Sequence, residues 1–324
     1  MQFQTWRLGY LALAGLVAAL AGCGANSDSE LDAQNADKKE ENVISKEDAV
    51  RALKLSRKSI CSLNDGEHVL YWWQGALYSR VPGEKDTKLF GLQGINMRQC
   101  GTVSDPVRGE GYRSVSREIM IHLDPETNEI VDSWTNPWTG EEVEVLHVAN
   151  DPVNMRQPAF PMDEDGIPTA TFRGTFINGK VITGGEAPLF YTNPLAGDYQ
   201  EYVGGTYHAM EMTNFYMSEE DLLDLDTPTI KEQTLSWSRT SKWLPWMKMG
   251  DRPGMLLATT VGRRMGSVEE LPEPIRSVLK ERYPLYMTPP PVDDPRPNDT
   301  TWTVFKRYID AEREGQASGN EGEH

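Results

Sequence analysis

The residues best suited to proton chemistry lie in TGEEVEVLHVANDP (139–152), where Glu142 and Glu144 alternate with Val143, Val145 and His147. A strand repeats every two residues, so His147 belongs to the inward, apolar face with the valines. Asp151 shares that parity, but four residues along a strand span about 13 Å, so the two meet only if the chain turns. Asp151-Pro152 is the place for such a turn, with the Asp151 or Asn154 side chain bonding back to backbone. In that arrangement His147 acts as general acid or base at a cavity mouth, its pKa near working pH, with Asp151 beside it. The competing role is a core imidazole satisfied by backbone.

His208 lies in TYHAMEMTNFYM (206–217). Period two groups it with Met210, Met212, Asn214 and Tyr216, and puts Glu211 on the other face with Tyr207 and Phe215. A His208–Glu211 dyad therefore needs a β-bulge. The methionines suit a core position or an adaptable apolar ligand wall. His68 and His122 are expected at the surface or at strand ends.

Tryptophans fall in blocks at Trp72-Trp73, Trp134 and Trp138, and Trp237, Trp243 and Trp246, with Gln74, Asn136 and Arg239 among them. Buried indole N–H groups need partners, so such residues often wall a pocket that carries few polar groups. Arg239 in that wall would stabilise developing negative charge. Trp243-Leu244-Pro245-Trp246 is a proline-bearing loop, expected to cover a cavity or a membrane surface rather than to enter deep core. Lys242, Lys248 and Arg252 make a basic island beside it. Trp73, Asn154, His208, Asn214, Trp237, Trp243 and Trp246 are thus the expected ligand-binding residues, and His147, Asp151 and Arg239 the expected catalytic ones.

Other chemistry has no sequence basis. There is no HExxH, H-x-H or cysteine cluster for a metal, no GxSxG nucleophile elbow, and no glycine fingerprint for a nucleotide. No metal or cofactor is expected. The formal charge of −17 opposes any encounter with nucleic acid.

The elements that must position these residues are mostly strands. Ser45 caps a short helix that runs to about Lys58. Aromatic and β-branched runs follow over 68–81, 89–100, 117–124 and 130–134, then 206–217, 231–239 and 254–264. FRGTFI, Asn178-Gly179 and KVIT form a strong hairpin signal. Helices are expected over Val268–Arg282 and about Trp302–Glu314, joined by the proline-rich segment 284–300. Strands with hairpin-length connections give a mainly β fold: one antiparallel sheet curled into a barrel or sandwich, with peripheral N- and C-terminal helices.

Arg7 and the apolar stretch Leu8–Leu20 are too short to span a bilayer, and they end in Leu20-Ala21-Gly22-Cys23. That ending resembles the lipobox of bacterial lipoproteins. The resemblance implies diacylglycerol on Cys23, cleavage before it, acylation of the new amino terminus, and an outer-membrane anchor facing the periplasm. The expected organisation is a signal peptide (1–22), a disordered tether (23–44), one domain (45–314) and a disordered tail (315–324). In an oxidising compartment the remaining pair, Cys61 and Cys100, reads as a disulfide worth about 4 kcal/mol.

TGEEVEVLHVANDPVN (139–154), preceded by DPETNEIVDSWTNPW (124–138), resembles the central signature of the domain of unknown function 1838 family. YWWQGALYSRVPGE (71–84), LFGLQGINM (89–97) and SWSRTSKWLPWMKMGDRPGMLLATTVGRRM (236–265) are similar to its other blocks. The resemblance implies a kind of domain and no activity. The expected role is a lipid-anchored periplasmic module binding a small apolar or aromatic molecule in a Trp-rich cavity, because no catalytic motif stands out. The alternatives are a cofactor-independent lyase, hydratase or isomerase using His147 and Asp151, and a structural envelope lipoprotein using the Trp243–Trp246 loop. The oligomeric state is left open.

Overall fold

The computed structural model describes residues 44–320, apart from 194, 196–198, 200–201 and 203–204. Cys23, the expected signal peptide and nearly all of the tether lie outside the described residues.

Helix α1 (Lys46–Ile60) starts where its cap predicts: the Ser45 side chain accepts from the Asp48 N–H, acids fill the first turn, and Arg57 and Lys58 stand in the last. Eleven strands follow: β1 (Val69–Arg80), β2 (Thr87–Asp105), β3 (Gly109–Leu123), β4 (Ser133–Thr135), β5 (Glu142–Glu144), β6 (Val148–Asn150), β7 (Thr175–Ile177), β8 (Lys180–Thr192), β9 (Thr206–Ser218), β10 (Gln233–Ser241) and β11 (Met255–Met265). Nine form one sheet in the order β6-β3-β2-β1-β11-β10-β9-β8-β7, and β4 pairs with β5 separately. All pairings are antiparallel. Asn178 (φ 49°) and Gly179 (φ 71°) make the tight β7–β8 turn, which needs two positive φ values.

The ladder ends at β6 and β7, so of the two expected forms the closed barrel is not made. The sheet is curled nonetheless, because inward residues of β3 and β6 share one cavity with those of β8, β9 and β10. Its convex side over β1–β3 is also covered: Ile95, Ile119 and Ile121 pack under Leu271, Ile275 and Leu279. Strands buried on both faces carry apolar residues at both parities, as β2 and β3 do. TGEEVEVLHVANDP is not one strand, since 145–147 interrupt β5 and β6.

After β9 comes the short α2 (Glu219–Leu223), capped by Ser218. The helix expected over Val268–Arg282 is broken into a 3-10 turn at Val268–Glu270 and α3 (Ile275–Glu281). Pro272 and Pro274 lie at the break, each without an N–H and each restricting the residue before it. The proline-rich segment makes one 3-10 turn at Pro284–Met287 and leads to α4 (Thr301–Asn320). That helix runs past Glu314 into the expected tail. Trp302, Phe305 and Ile309 form its buried stripe. Cys61, just past α1, is bridged to Cys100 in β2 with Cα atoms 6.0 Å apart. Among the described residues no helix is long and apolar enough to cross a membrane.

Candidate functional site

The curl of the sheet encloses a cavity of about 50 Å³, room for on the order of four water-sized groups. Its walls are Trp73 from β1, Glu118 and Met120 from β3, Asn150 from β6, Leu189 and Tyr191 from β8, Glu211 from β9, and Trp237 and Arg239 from β10. Thr300, Thr301 and Trp302, at the start of α4, close the gap between the two sheet edges. Trp73 takes its place because its cross-strand neighbours are Gly94 and Gly262. A Cβ on Gly94 would lie 2.5 Å from the indole, and one on Gly262 would lie 2.1 Å from the Trp72 carbonyl oxygen.

Glu118 is the central group. Register puts it between Asn96 and Asn150 on neighbouring strands. The Asn150 amide donates to its Oε1 at 2.7 Å, while Oε2 is buried with no protein partner. Burial pushes this carboxyl up to about 7; the Asn150 bond opposes, the Glu211 charge adds, and Arg239 and Arg98 oppose weakly. Both of its protonation states are therefore populated near neutral pH, as a general acid or base requires.

The facing carboxylate is held differently. Arg239 and Glu211 are direct cross-strand partners, with Nη1 and Oε1 3.0 Å apart. Arg239 also donates through Nη2 to the Tyr207 hydroxyl. Burial works against the charge on Arg239, but Tyr207 and Glu211 outweigh it and raise its pKa. Burial likewise raises the Tyr191 and Tyr207 hydroxyls, which stay protonated. One carboxyl with a raised pKa and one tied to a guanidinium, across a single cavity, is an arrangement that separates acid and anion roles. Among the described residues, no group of three or more His, Cys, Asp or Glu is placed to hold a metal ion.

His147 and Asp151 do not come together. The His122 backbone N–H donates to His147 Nδ1 at 3.3 Å, the two rings stack at 5.7 Å, and His147 Nε2 lies 3.6 Å from Asp132. Burial lowers His147 to about 4, with Arg282 adding to the fall, and lowers His122 to about 3. Both imidazoles are neutral at pH 7, which corrects the expectation of a His147 pKa near working pH. His122, expected at the surface, is fully buried against Trp246 and Phe90; His68 is exposed.

Asp151 instead clasps the C-terminal segment. It meets Arg117 at 2.7 Å and Arg296 at 3.0 Å, and Arg296 also binds Asp294. Asn154 works beside it: its Oδ1 accepts from Ser116 N–H, while its backbone exchanges two bonds of 2.7 Å with the Asn298 amide. Asp151→Asn leaves buried Arg117 without its counter-charge and is expected to cost about 2 kcal/mol, less than a fully buried pair because Arg296 is half exposed. Urea unfolding measures this; a variant of unchanged stability that lost activity would put Asp151 in the chemistry instead.

The tryptophans divide. Trp73 and Trp237 line the cavity, whereas Trp243 and Trp246 are 2% and 3% exposed and sit in core. Trp246 packs on Phe90, Trp134 and His122; Trp243 packs on Trp138 and donates to the Arg252 carbonyl. The proline loop is thus deep core, because Pro245–Met247 makes a 3-10 turn that packs with Trp243 in one cluster with Trp302, Phe305 and Ile309 of α4. His208 and Asn214 lie on the outer face of β9, with His208 exposed beside Phe190. The inward face carries Tyr207, Glu211 and Phe215. Glu118, Glu211, Asn150, Tyr191 and Tyr207 were not among the expected site residues. The available signal was a lone acid at a buried parity, Glu118 in SREIMIHL and Glu211 between Tyr207 and Phe215.

The chain belongs to the family described as protein of unknown function (DUF1838), whose model matches residues 66–309. That span takes in every cavity-lining residue and leaves α1 and Cys61 outside it. Among curated proteins none matches the chain.

Proposed function

We propose that this domain binds a small molecule inside the curled sheet and moves a proton on it, as a cofactor-independent lyase, hydratase or isomerase. The observation that carries this reading is Glu118: buried in the cavity wall, one oxygen fixed by Asn150, the other without a protein partner, its carboxyl pushed up to about 7. As carboxylate it takes a proton from a carbon next to a carbonyl, and the released electron pair moves onto the carbonyl oxygen. Arg239 and nearby N–H groups stabilise that oxygen, and protonated Glu118 then returns the proton.

The alternative, a carrier of an apolar or aromatic molecule, is favoured by the indole walls of Trp73, Trp237 and Trp302. It ranks second because drug-sized ligands fill about 300 Å³ or more, against about 50 Å³ here. The envelope-partner role keeps little support, since Trp243 and Trp246 offer no exposed indole.

The test is proton NMR of small carbonyl compounds in deuterated buffer with the protein present. Solvent deuterium should enter at the carbon beside the carbonyl, with a rate that rises through a midpoint near pH 7. If no bound compound exchanges, and native mass spectrometry instead finds a retained molecule of a few hundred daltons, the carrier reading replaces this one.

We further propose that the chain is tethered by lipid on Cys23 to the outer membrane, facing the periplasm. The Cys61–Cys100 bridge supports an oxidising compartment. Cys23→Ala is expected to move the protein from the membrane fraction to the soluble fraction, with the melting temperature of the domain unchanged. A variant that stays with the membrane sinks the anchor.

A further inference from the structure

We propose that the molecule bound in this cavity is a small monocarboxylate, its carboxylate received by the β1 and β10 wall while Glu118 faces the rest of it. This rests on the acid–base reading above and adds the substrate class to it. The argument begins with unpaired hydrogen-bonding groups. On cavity-lining side chains of β1 and β10, Trp73 Nε1, Trp237 Nε1 and Arg239 Nε are buried donors with no acceptor. Indole and guanidinium nitrogens only donate, so each needs an acceptor, and no tautomer change or flip makes them acceptors themselves. The other two nitrogens of Arg239 are engaged by Glu211 and Tyr207, which fix the guanidinium plane.

On the opposite wall the unpaired atoms are acceptors, Glu118 Oε2 and Asn150 Oδ1. The cavity is therefore polarised: donors on one side, a proton acceptor on the other. Buried donors are costly to leave unpaired, and three of them call for more than one acceptor oxygen. A carboxylate supplies two oxygens and about four lone-pair sites, whereas a ketone supplies one oxygen.

Charge points the same way. Arg239 and Glu211 cancel. Arg98 in β2 is 2% exposed, its Nε is bound by the neutral Asn96, and no carboxylate lies within ion-pair distance of it among the described residues. Its cation is answered by the face of Tyr71, by Glu118 and by Tyr112. When Glu118 carries a proton, Arg98 is left without a carboxylate to answer it, which favours an anionic ligand over a neutral one. The acidic exterior repels anions at long range, but screening limits that to about 8 Å at physiological salt. The volume then selects acids of roughly two to four carbons.

The test is calorimetric titration of the full chain, disulfide intact, with acetate, propionate and pyruvate, using acetamide and acetone as neutral counterparts. At least one carboxylate should bind about tenfold or more tighter than its counterpart. Trp237→Phe and, separately, Trp73→Phe each remove one donor and keep a ring; either should weaken the carboxylate severalfold and acetone, with one acceptor oxygen, by less. Equal binding of acids and neutral compounds, or saturation by none of the acids, overturns the proposal. Deuterium exchange on a neutral ketone without carboxylate binding would do so too, yet leave the acid–base role standing. Carboxylate binding with no exchange on any compound would do the reverse.

Discussion

Glu118→Gln is expected to abolish proton transfer and, above pH 7, to make the protein more stable than its parent. The carboxyl titrates at about 7 in the folded protein against an ordinary value of 4.5. Below pH 4 it is protonated whether the chain is folded or not and contributes nothing. As pH rises from there to 7, the unfolded chain gives up the proton while the folded chain keeps it, so stability falls. Above 7 the slope levels, and a penalty of about 3 kcal/mol remains. Glutamine keeps the shape and can still accept from Asn150, but it cannot ionise. The variant should therefore match its parent near pH 4, exceed it by about 3 kcal/mol at pH 8, and lose about 10²- to 10⁴-fold in rate. Urea unfolding at the two pH values reads the first effect, and deuterium exchange the second.

The parent's own pH profile cannot substitute for that comparison. His122 and His147 have lowered pKa values in the fold, chiefly through burial. Below about 6.5 the unfolded chain binds protons that these folded imidazoles refuse, so stability falls as pH drops toward 4 and 3. That slope runs opposite to the one from Glu118, and the two overlap between 4.5 and 6.5. Only the difference between variant and parent isolates the carboxyl. A difference that does not change with pH would mean that Glu118 is ionised in the fold, and the acid–base role would go with it. Gained stability with lost chemistry is what a residue kept for function at a cost to the fold should give.

The sequence made the strands legible because period two survives wherever one face of a sheet is buried. It separated Glu211, Tyr207 and Phe215 from His208, Met210 and Asn214 correctly. What it could not supply was which of those faces turns inward. Hydrophobicity normally decides that, and here the inner face holds Glu211 while the outer one holds methionines and Tyr216. A polar site built into a core erases the signal used to locate the core. The histidines misled for a related reason: ring chemistry depends on burial, and His122 is buried by Phe90 and Trp246, far away in the chain, with His147 stacked on it. Asp151 sits at a turn, as its proline neighbour implied, but its partner Arg296 lies in a segment whose prolines exclude regular structure and hence any prediction of contacts.

Removing the disulfide should give the largest loss of stability of any change away from the cavity. Cys61→Ala/Cys100→Ala, or reduction of the parent, frees a loop of 39 residue positions, a loss of about 4 kcal/mol on the chain-entropy model. For a domain of this size that lowers the melting temperature by on the order of 10 °C. The bridge ties α1 to β2, and α1 also packs Leu55 under Tyr71 and Trp73, while the Ser59 carbonyl accepts from Gln233 in β10 at 2.7 Å. Arg57 reaches Asp65 at 2.7 Å, and Lys58 donates to the Asp221 and Asp224 carbonyls. Those contacts cap one end of the concave face, below the indole of Trp73. Release of α1 should therefore loosen the β1 wall of the cavity as well as the fold, and weaken ligand binding before global unfolding. Calorimetric scans with and without reductant test both parts. A melting temperature indifferent to reductant would mean that the cysteines are not joined in the protein, and the argument for an oxidising compartment would fall with them. A lower melting temperature with ligand affinity intact would confine the bridge to holding α1, and leave the placement of Trp73 to Gly94 and Gly262.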